Sequence, residues 1–171
     1  MSDAAELVEL DINKDSDSDT SQFLTFILGS EEYGVDILQV QEIKGWDRVT
    51  PIPNTPDYIK GVINLRGAIV PIIDLRQRFN LESISYDATT VVIVLKVPAE
   101  DKERTIGIVV DAVSDVYNIS ASDMKPPPDF GDIDIDFVKG LATVSGKMVI
   151  ILNIDRLLNE SIMPDMDSRS E

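Results

Sequence analysis

The feature that most limits the possible folds is a series of short, β-branched apolar runs separated by turn residues. Such runs are typical of strands in a barrel or a sandwich. A parallel sheet would need a long helix between successive strands, and no segment between these runs has the length and apolar period of one. We therefore predict a mainly β fold.

The runs pair naturally as hairpins. Residues 23–28 and 33–35 flank a polar turn, and residues 138–144 and 148–152 flank Ser145-Gly146-Lys147. Between them, residues 62–63 and 69–73 flank Asn64-Leu65-Arg66-Gly67. Glycine adopts positive φ at little cost, so Gly67 predicts a tight hairpin tip there.

Two runs are almost continuously apolar, at residues 91–97 and 106–110. Continuous runs predict strands covered on both faces, as at a join between two sheets. We expect the charged segment 98–104 to be the loop between them and residues 111–117 to form the next strand. Pro71 lacks an N–H, so its strand is expected at a sheet edge or at a bulge.

Helices are expected to be short. One turn is predicted near residue 37, followed by extended chain, and another from Asp74 to Phe79, where an Asp oxygen caps the first residues. Thr55 before Pro56 predicts a short helix over residues 58–60. A capping pattern at Ser120 predicts one turn, and Leu157-Leu158 predicts a terminal turn. We recognise no internal repeat in the sequence.

The two ends differ in composition from the middle. Residues 1–20 carry seven acidic groups against Lys14, and a segment of this kind is predicted to be a disordered acidic arm. Residues 161–171 are polar and interrupted by Pro164, and we predict a flexible tail. The folded domain is therefore expected at residues 21–160.

The charge balance narrows the choice of partners. With 15 basic and 31 acidic residues the formal charge is −16, so nucleic acid is an unfavourable partner. No apolar run reaches the roughly 20 residues needed to span a bilayer, and Asp3, Glu6 and Glu9 lie where a secretory signal would be positive. The sequence therefore predicts a cytoplasmic protein that does not insert into a membrane.

The chain contains neither histidine nor cysteine. The commonest general base, the commonest transition-metal ligand and every thiol are thus missing. Catalysis by paired carboxylates stays open on these grounds. These absences argue against an enzyme without excluding one, and we predict no metal and no cofactor.

Three patterns have possible ligand-binding interpretations. Asp15, Asp17 and Asp19 have the spacing of a calcium loop, but its glycine and glutamate positions are filled by Thr20 and Phe26, so a solvated acidic arm is favoured. The alternating acids of residues 132–136 could attract a divalent metal or form an acidic loop, and the loop is favoured. Residues 140–147 resemble a phosphate loop only in part, and a hairpin turn is the better interpretation.

Positive charge is concentrated between residues 42 and 78, where six basic residues face four acidic ones. Chance and salt bridges explain this pattern as well as a partner-binding surface does. In the second interpretation, Arg66 at the hairpin tip would present its guanidinium to a partner.

Three ordered segments carry a resemblance to a known family: residues 32–43, residues 60–76 with the Asn-Leu-Arg-Gly tip, and residues 107–116. Together with the final hairpin and Leu157-Leu158, they resemble the CheW family over about residues 21–160. This resemblance implies two intertwined five-stranded SH3-like β-barrels that share a hydrophobic core. It also implies a non-enzymatic adaptor that joins the regulatory domain of the histidine kinase CheA to the cytoplasmic tips of methyl-accepting chemoreceptors.

The resemblance also implies roles for particular residues. Those implied in receptor binding are Val40, Glu42, Arg66, Val91 and Val116, and those implied in kinase binding or coupling are Gly61, Asn64, Leu65 and Gly67. Each of these residues also has a possible structural role: the valines and Leu65 suit a core, and the glycines suit special backbone geometry. Direct partner contact is favoured most for Arg66. The competing interpretations are a phospho-acceptor or enzyme of the same pathway, a coupling domain detached from a larger kinase, and a coupling-receiver fusion.

Overall fold

The structure is a computed structural model that describes residues 20–81, 85–99, 102–127 and 137–161. Its strands are β1 (Thr20–Leu28), β2 (Glu31–Asp36), β3 (Val40–Gly45), β4 (Ile59–Leu65), β5 (Ala68–Asp74), β6 (Val91–Ala99), β7 (Lys102–Val110), β8 (Ala112–Ser120), β9 (Met124–Lys125), β10 (Val138–Val144) and β11 (Lys147–Leu152). The helical segments are the 3-10 turns Ile37–Gln39 and Ala121–Asp123, the α-helix Leu75–Arg78 and residues 154–161.

The strands form two sheets. Sheet 1 has the order β8-β1-β2-β11-β10-β9, and sheet 2 has the order β3-β6-β7-β5-β4. In sheet 2, backbone hydrogen bonds between Thr50 and Val62 join the segment after β3 to β4. The mainly β prediction with two barrel-like sheets is confirmed, although sheet 1 contains the two-residue β9 as a sixth strand.

Three apolar clusters explain how the sheets hold together. One cluster fills sheet 2 around Val70, Ile72 and Val94, and another fills sheet 1 around Phe23 and Ile151. The largest lies between the sheets and includes residues from both, such as Phe26, Ile93, Leu95, Ile108 and Leu157. Side chains of β6 and β7 enter both the sheet 2 cluster and the shared one. The prediction that these two strands are covered on both faces is therefore confirmed.

Several local predictions are also confirmed. Asp74 caps the helix Leu75–Arg78 by accepting a hydrogen bond from the Arg76 N–H, and Phe79 ends that helix. A 3-10 turn over Ile37–Gln39 leads into β3. The turn Ala121–Asp123 is present, but the Ser120 side chain makes no capping hydrogen bond to it. Residues 140–147 lie in the β10–β11 hairpin.

Other predictions are wrong. Residues 58–60 form no helix, because the Thr55 hydroxyl donates to the Ile52 carbonyl and β4 has already begun at Ile59. The loop predicted over residues 98–104 is occupied at both ends by strands, since β6 continues to Ala99 and β7 begins at Lys102. Pro71 lies in an interior strand, which is possible because β5 pairs with β7 only from Ile72 onward. The two acidic segments considered as metal sites lie outside the described residues.

A buried ionic network connects the two sheets. The Arg76 side chain is 1% exposed, and it donates to both oxygens of Asp74 (2.9 and 3.0 Å) and to Asp111 Oδ1 (2.9 Å). Burial opposes the charge of Arg76, but hydrogen bonds and attraction from both aspartates outweigh it and raise its pKa. The other Asp111 oxygen accepts from the Gly29 N–H, in the turn after β1. The network therefore ties the end of β5 to a turn of the opposite sheet.

Tyr86 closes this network from the side. Its hydroxyl donates to Asp74, its ring lies 4.7 Å from the Arg76 guanidinium carbon, and the Trp46 ring centroid is 4.5 Å from its own. Burial, followed by the hydrogen bond to Asp74, raises the pKa of Tyr86 to about 12. The neutral phenol is therefore the form that the fold favours.

We expect Tyr86→Phe to remove a pH-dependent part of the stability. The folded protein keeps the Tyr86 proton up to a pH of about 12, while the unfolded chain releases it near pH ~10. This contribution is complete below pH ~10 and is lost as the pH rises through about 12. Urea unfolding of both proteins at a series of alkaline pH values should show the stability difference shrinking across that window. A constant difference would contradict the assignment.

Candidate partner-binding surface

The β4–β5 hairpin presents Arg66 on a rigid tip. Arg66 and Gly67 form the two-residue turn, with φ of 52° and 91°. The Asn64 side-chain oxygen accepts a 2.8 Å hydrogen bond from the Gly67 N–H, and Leu65 is buried in the sheet 2 cluster. The predicted hairpin tip with positive φ at Gly67 is confirmed. Asn64, Leu65 and Gly67 therefore fix the backbone from which Arg66 extends.

Arg66 forms an ion pair with Glu42 across sheet 2. Arg66 Nη2 lies 2.6 Å from Glu42 Oε1, and the side chains are 66% and 28% exposed. An exposed pair of this kind adds about 1 kcal/mol or less to stability. Its main effect is to hold the guanidinium beside β3. Since a guanidinium has about five N–H donors, this contact leaves donors for another carboxylate or carbonyl.

Gly61 serves the backbone of the same hairpin. Its φ is +143°, and a Cβ at this position would lie 2.1 Å from the Thr50 carbonyl oxygen. The segment that closes sheet 2 against β4 passes directly over Gly61. A side chain there would push this segment away, so Gly61 acts through packing.

The three valines occupy different places. Val40 is half-buried on β3 beside the shared cluster, and Val91 is half-buried at the start of β6 against the same cluster. Val116 is exposed on β8, which belongs to the other sheet. The structure thus brings Glu42 and Arg66 into contact, places Val40 on the same strand as Glu42, and leaves Val116 on a separate sheet.

An exposed isoleucine beside the tip, Ile69, was not predicted as part of this surface; it is the strand partner of Asn64. The available signal was the register of the hairpin, which places an apolar residue opposite a polar one near the turn. Apolar residues beside an arginine form a common kind of protein-binding surface.

A separate surface cavity of about 370 Å³ lies at the beginning of β1, next to the exposed Leu38. It is lined by Thr20, Ser21, Gln22, Asp36, Ile37, Leu38 and Asn118.

Within the described ranges, no three acidic side chains meet as a metal-binding group. No described helix combines the length and apolarity needed to cross a bilayer.

Comparison with known proteins identifies the family. The family model described as the CheW-like domain matches residues 22–161. The chemotaxis protein CheW of Klebsiella aerogenes is 50% identical over 148 residues, which cover 86% of this chain and 87% of that protein. The CheW of Rhizobium meliloti is 38% identical, covering 78% and 84%.

A solved structure agrees with this result. The crystal structure of the scaffolding protein TtCheW from Thermoanaerobacter tengcongensis is 36% identical and superposes with a TM-score of 0.72, covering 80% of this chain and 86% of that one. Sequence and fold therefore give the same answer, and the chain belongs to the CheW family of chemotaxis scaffold proteins.

Proposed function

We propose that this protein is a non-enzymatic adaptor that couples methyl-accepting chemoreceptors to the histidine kinase CheA. It would act in the cytoplasm, at receptor clusters on the membrane, without inserting into the bilayer. The observation that carries the proposal is the exposed Arg66 guanidinium, held on a rigid tip beside Glu42. Family membership supplies the context in which such a surface binds other proteins.

The receptor surface in this proposal contains Val40, Glu42, Arg66, Val91 and Val116. Arg66 and Glu42 provide a charged anchor, and the exposed Ile69 beside the tip adds apolar area. An arginine that becomes buried among apolar side chains when a complex forms often contributes a large share of the binding energy. A helical receptor tip with an acidic and an apolar residue on one face would fit this chemistry.

The kinase-binding or coupling role in this proposal belongs to Gly61, Asn64, Leu65 and Gly67. Their contacts support an indirect action, because Leu65 is buried and the others define the hairpin backbone. The regulatory domain of CheA would contact the hairpin that these residues shape. Simultaneous binding of both partners would raise their effective concentration near one another.

We expect Arg66→Ala to weaken receptor binding by about 1–2 kcal/mol, or roughly 5- to 30-fold. The stability of the protein should change by less than about 1 kcal/mol, because the lost ion pair is exposed. Titration calorimetry with a soluble receptor fragment and urea unfolding measure the two effects. Arg48→Ala is the matched control, since Arg48 is an exposed arginine outside the tip. Equal receptor affinity of both variants would contradict the proposed surface.

The adaptor function itself is tested by co-sedimentation. Receptor fragments and the CheA regulatory domain are mixed with the protein singly and together. The expected result is a complex that contains all three proteins. If the two partners displace one another at every concentration, the coupling proposal is wrong.

A further inference from the structure

The two halves of the chain repeat one structural unit, although no repeat was recognised in the sequence. Residues 58–79 align with residues 137–158 without a gap, at a constant shift of 79 positions. Identical residues in this alignment include Lys60 and Lys139, Gly61 and Gly140, Gly67 and Gly146, Val70 and Val149, and Ile72 and Ile151. Each copy is a hairpin followed by a helix, namely β4–β5 with Leu75–Arg78 and β10–β11 with residues 154–161.

The backbone details of the two copies agree. The β4–β5 pairing has an irregularity between Ile59 and Gly61, and the β10–β11 pairing has one between Val138 and Gly140. Both turns have positive φ at two successive residues, Arg66-Gly67 in one copy and Ser145-Gly146 in the other. Over the whole length of β11, the order of buried, half-buried and exposed positions is the same as in β5.

The hairpins β1–β2 and β6–β7 form a second pair of copies. Gly34 in β2 faces Ile151 of β11, and Gly107 in β7 faces Ile72 of β5. A Cβ would lie 2.9 Å from Ile151 Cδ1 at Gly34, and 2.7 Å from Ile72 Cδ1 at Gly107. Ile72 and Ile151 are equivalent positions of the repeat, and each fills the space beside a glycine in its own sheet. Both of these strand pairings are parallel.

The two halves pair with each other to form both sheets. The pairings β1–β8 and β2–β11 join the halves in sheet 1, and β3–β6 and β5–β7 join them in sheet 2. Pairings within a half are β1–β2, β4–β5, β6–β7, β9–β10 and β10–β11. Each sheet therefore takes one hairpin from one half and the rest from the other. The chain connects the halves only through residues 79–90.

From this arrangement we propose that two copies of this chain can form a dimer by exchanging halves. The first half of each chain then pairs with the second half of the other. The strand pairings would be retained, because those within a half stay within one chain and those between halves form again between the two chains. The contacts that change are those of the connecting segment, such as Arg76 to the Ser85 carbonyl and Tyr86 to Asp74.

Concentration decides between the two forms. Within one chain the connecting segment gives each half a high effective concentration near the other. In dilute solution the two halves of the same chain therefore pair, and the protein is a monomer. When chains fold together at high concentration, the half of a neighbour competes for the same strand edges. The exchanged dimer should therefore accumulate on refolding of concentrated protein.

Interchain disulfides can detect the exchange, because the natural chain contains no cysteine. Gln22 and Asn118 are exposed strand partners from opposite halves. One full-length chain carries Gln22→Cys and another carries Asn118→Cys; they are mixed, unfolded, and refolded together at high and low concentration. A single chain with both substitutions first establishes that this pair can close. We expect a disulfide-linked dimer from the concentrated mixture and almost none from the dilute one.

The matched control uses a pair within one half. Thr143 and Met148 are exposed partners in the β10–β11 hairpin, so exchange keeps both in the same chain. Thr143→Cys and Met148→Cys on separate chains should give no linked dimer in the refolding that links the first pair. Linked dimers from both pairs would show nonspecific association and overturn the proposal. Absence of a linked dimer from the first pair at high concentration, with light scattering reporting monomer, would overturn it as well.

Discussion

Arg76→Ala is expected to destabilise the protein by about 3–5 kcal/mol, because it leaves the carboxylate of Asp74 buried without its cation. Asp74 is fully buried, and Arg76 donates to both of its oxygens. The substitution also removes the contact with Asp111, so the attachment between the sheets is weakened. Because a domain of this size has only about 5–15 kcal/mol of stability, a large part of it should be lost.

Urea unfolding followed by circular dichroism measures this loss. Arg156→Ala is a useful control, since Arg156 forms an exposed ion pair with Glu160 one turn away, and such pairs contribute about 0.3–0.5 kcal/mol. Adding Asp74→Asn to Arg76→Ala should recover part of the stability, because the unpaired charge is then gone. A loss below about 1 kcal/mol for Arg76→Ala alone would contradict the importance of the network.

Gly61→Ala is expected to cost more than about 3 kcal/mol, from two independent causes. A φ of +143° is strained for any residue with a Cβ, which costs about 1–3 kcal/mol. The new methyl group would also lie 2.1 Å from the Thr50 carbonyl oxygen, so the backbone itself must move. The segment closing sheet 2 would then lose its hydrogen bonds with Val62.

Two other glycines separate these causes. Gly67→Ala introduces strain at φ +91° but meets none of the described atoms within 4 Å, so a loss of about 1–3 kcal/mol is expected. Gly45→Ala also meets no atom of the described residues within 4 Å and has no positive φ, so it should be nearly neutral. Thermal unfolding should show the largest loss of stability for Gly61→Ala, a smaller loss for Gly67→Ala and almost none for Gly45→Ala. A Gly61 variant as stable as the Gly45 variant would contradict the predicted clash.

The local part of the fold could be predicted from the sequence, and the long-range part could not. The tip at Gly67 and the cap at Asp74 depend on a few neighbouring residues, and both predictions are confirmed. The helix over residues 58–60 was wrong because pairing of Ile59 with Ile73 outweighs the capping signal of Thr55. The extension of β6 and β7 into segment 98–104 was missed because its charged residues suggested a loop, whereas pairing across the hairpin, as of Pro98 with Glu103, lengthens both strands.

The candidate surface shows the same limit. The sequence indicated that Arg66 is exposed at a tip, but Glu42 lies 24 residues away, and their contact depends on the closure of sheet 2. The repeat was hidden for a related reason. Its copies are alike in their glycines and in the placing of apolar residues, but few other residues are identical. Each copy also pairs with a strand of the opposite half.

The exchange of strands between halves also affects how the protein is made. On the ribosome, β2 emerges more than a hundred residues before β11, its parallel neighbour in sheet 1. The nascent chain therefore carries unpaired strand edges until the last hairpin has been translated, and such edges favour aggregation. Stable structure has to form after synthesis of nearly the whole domain, and contacts this distant in sequence make folding slow.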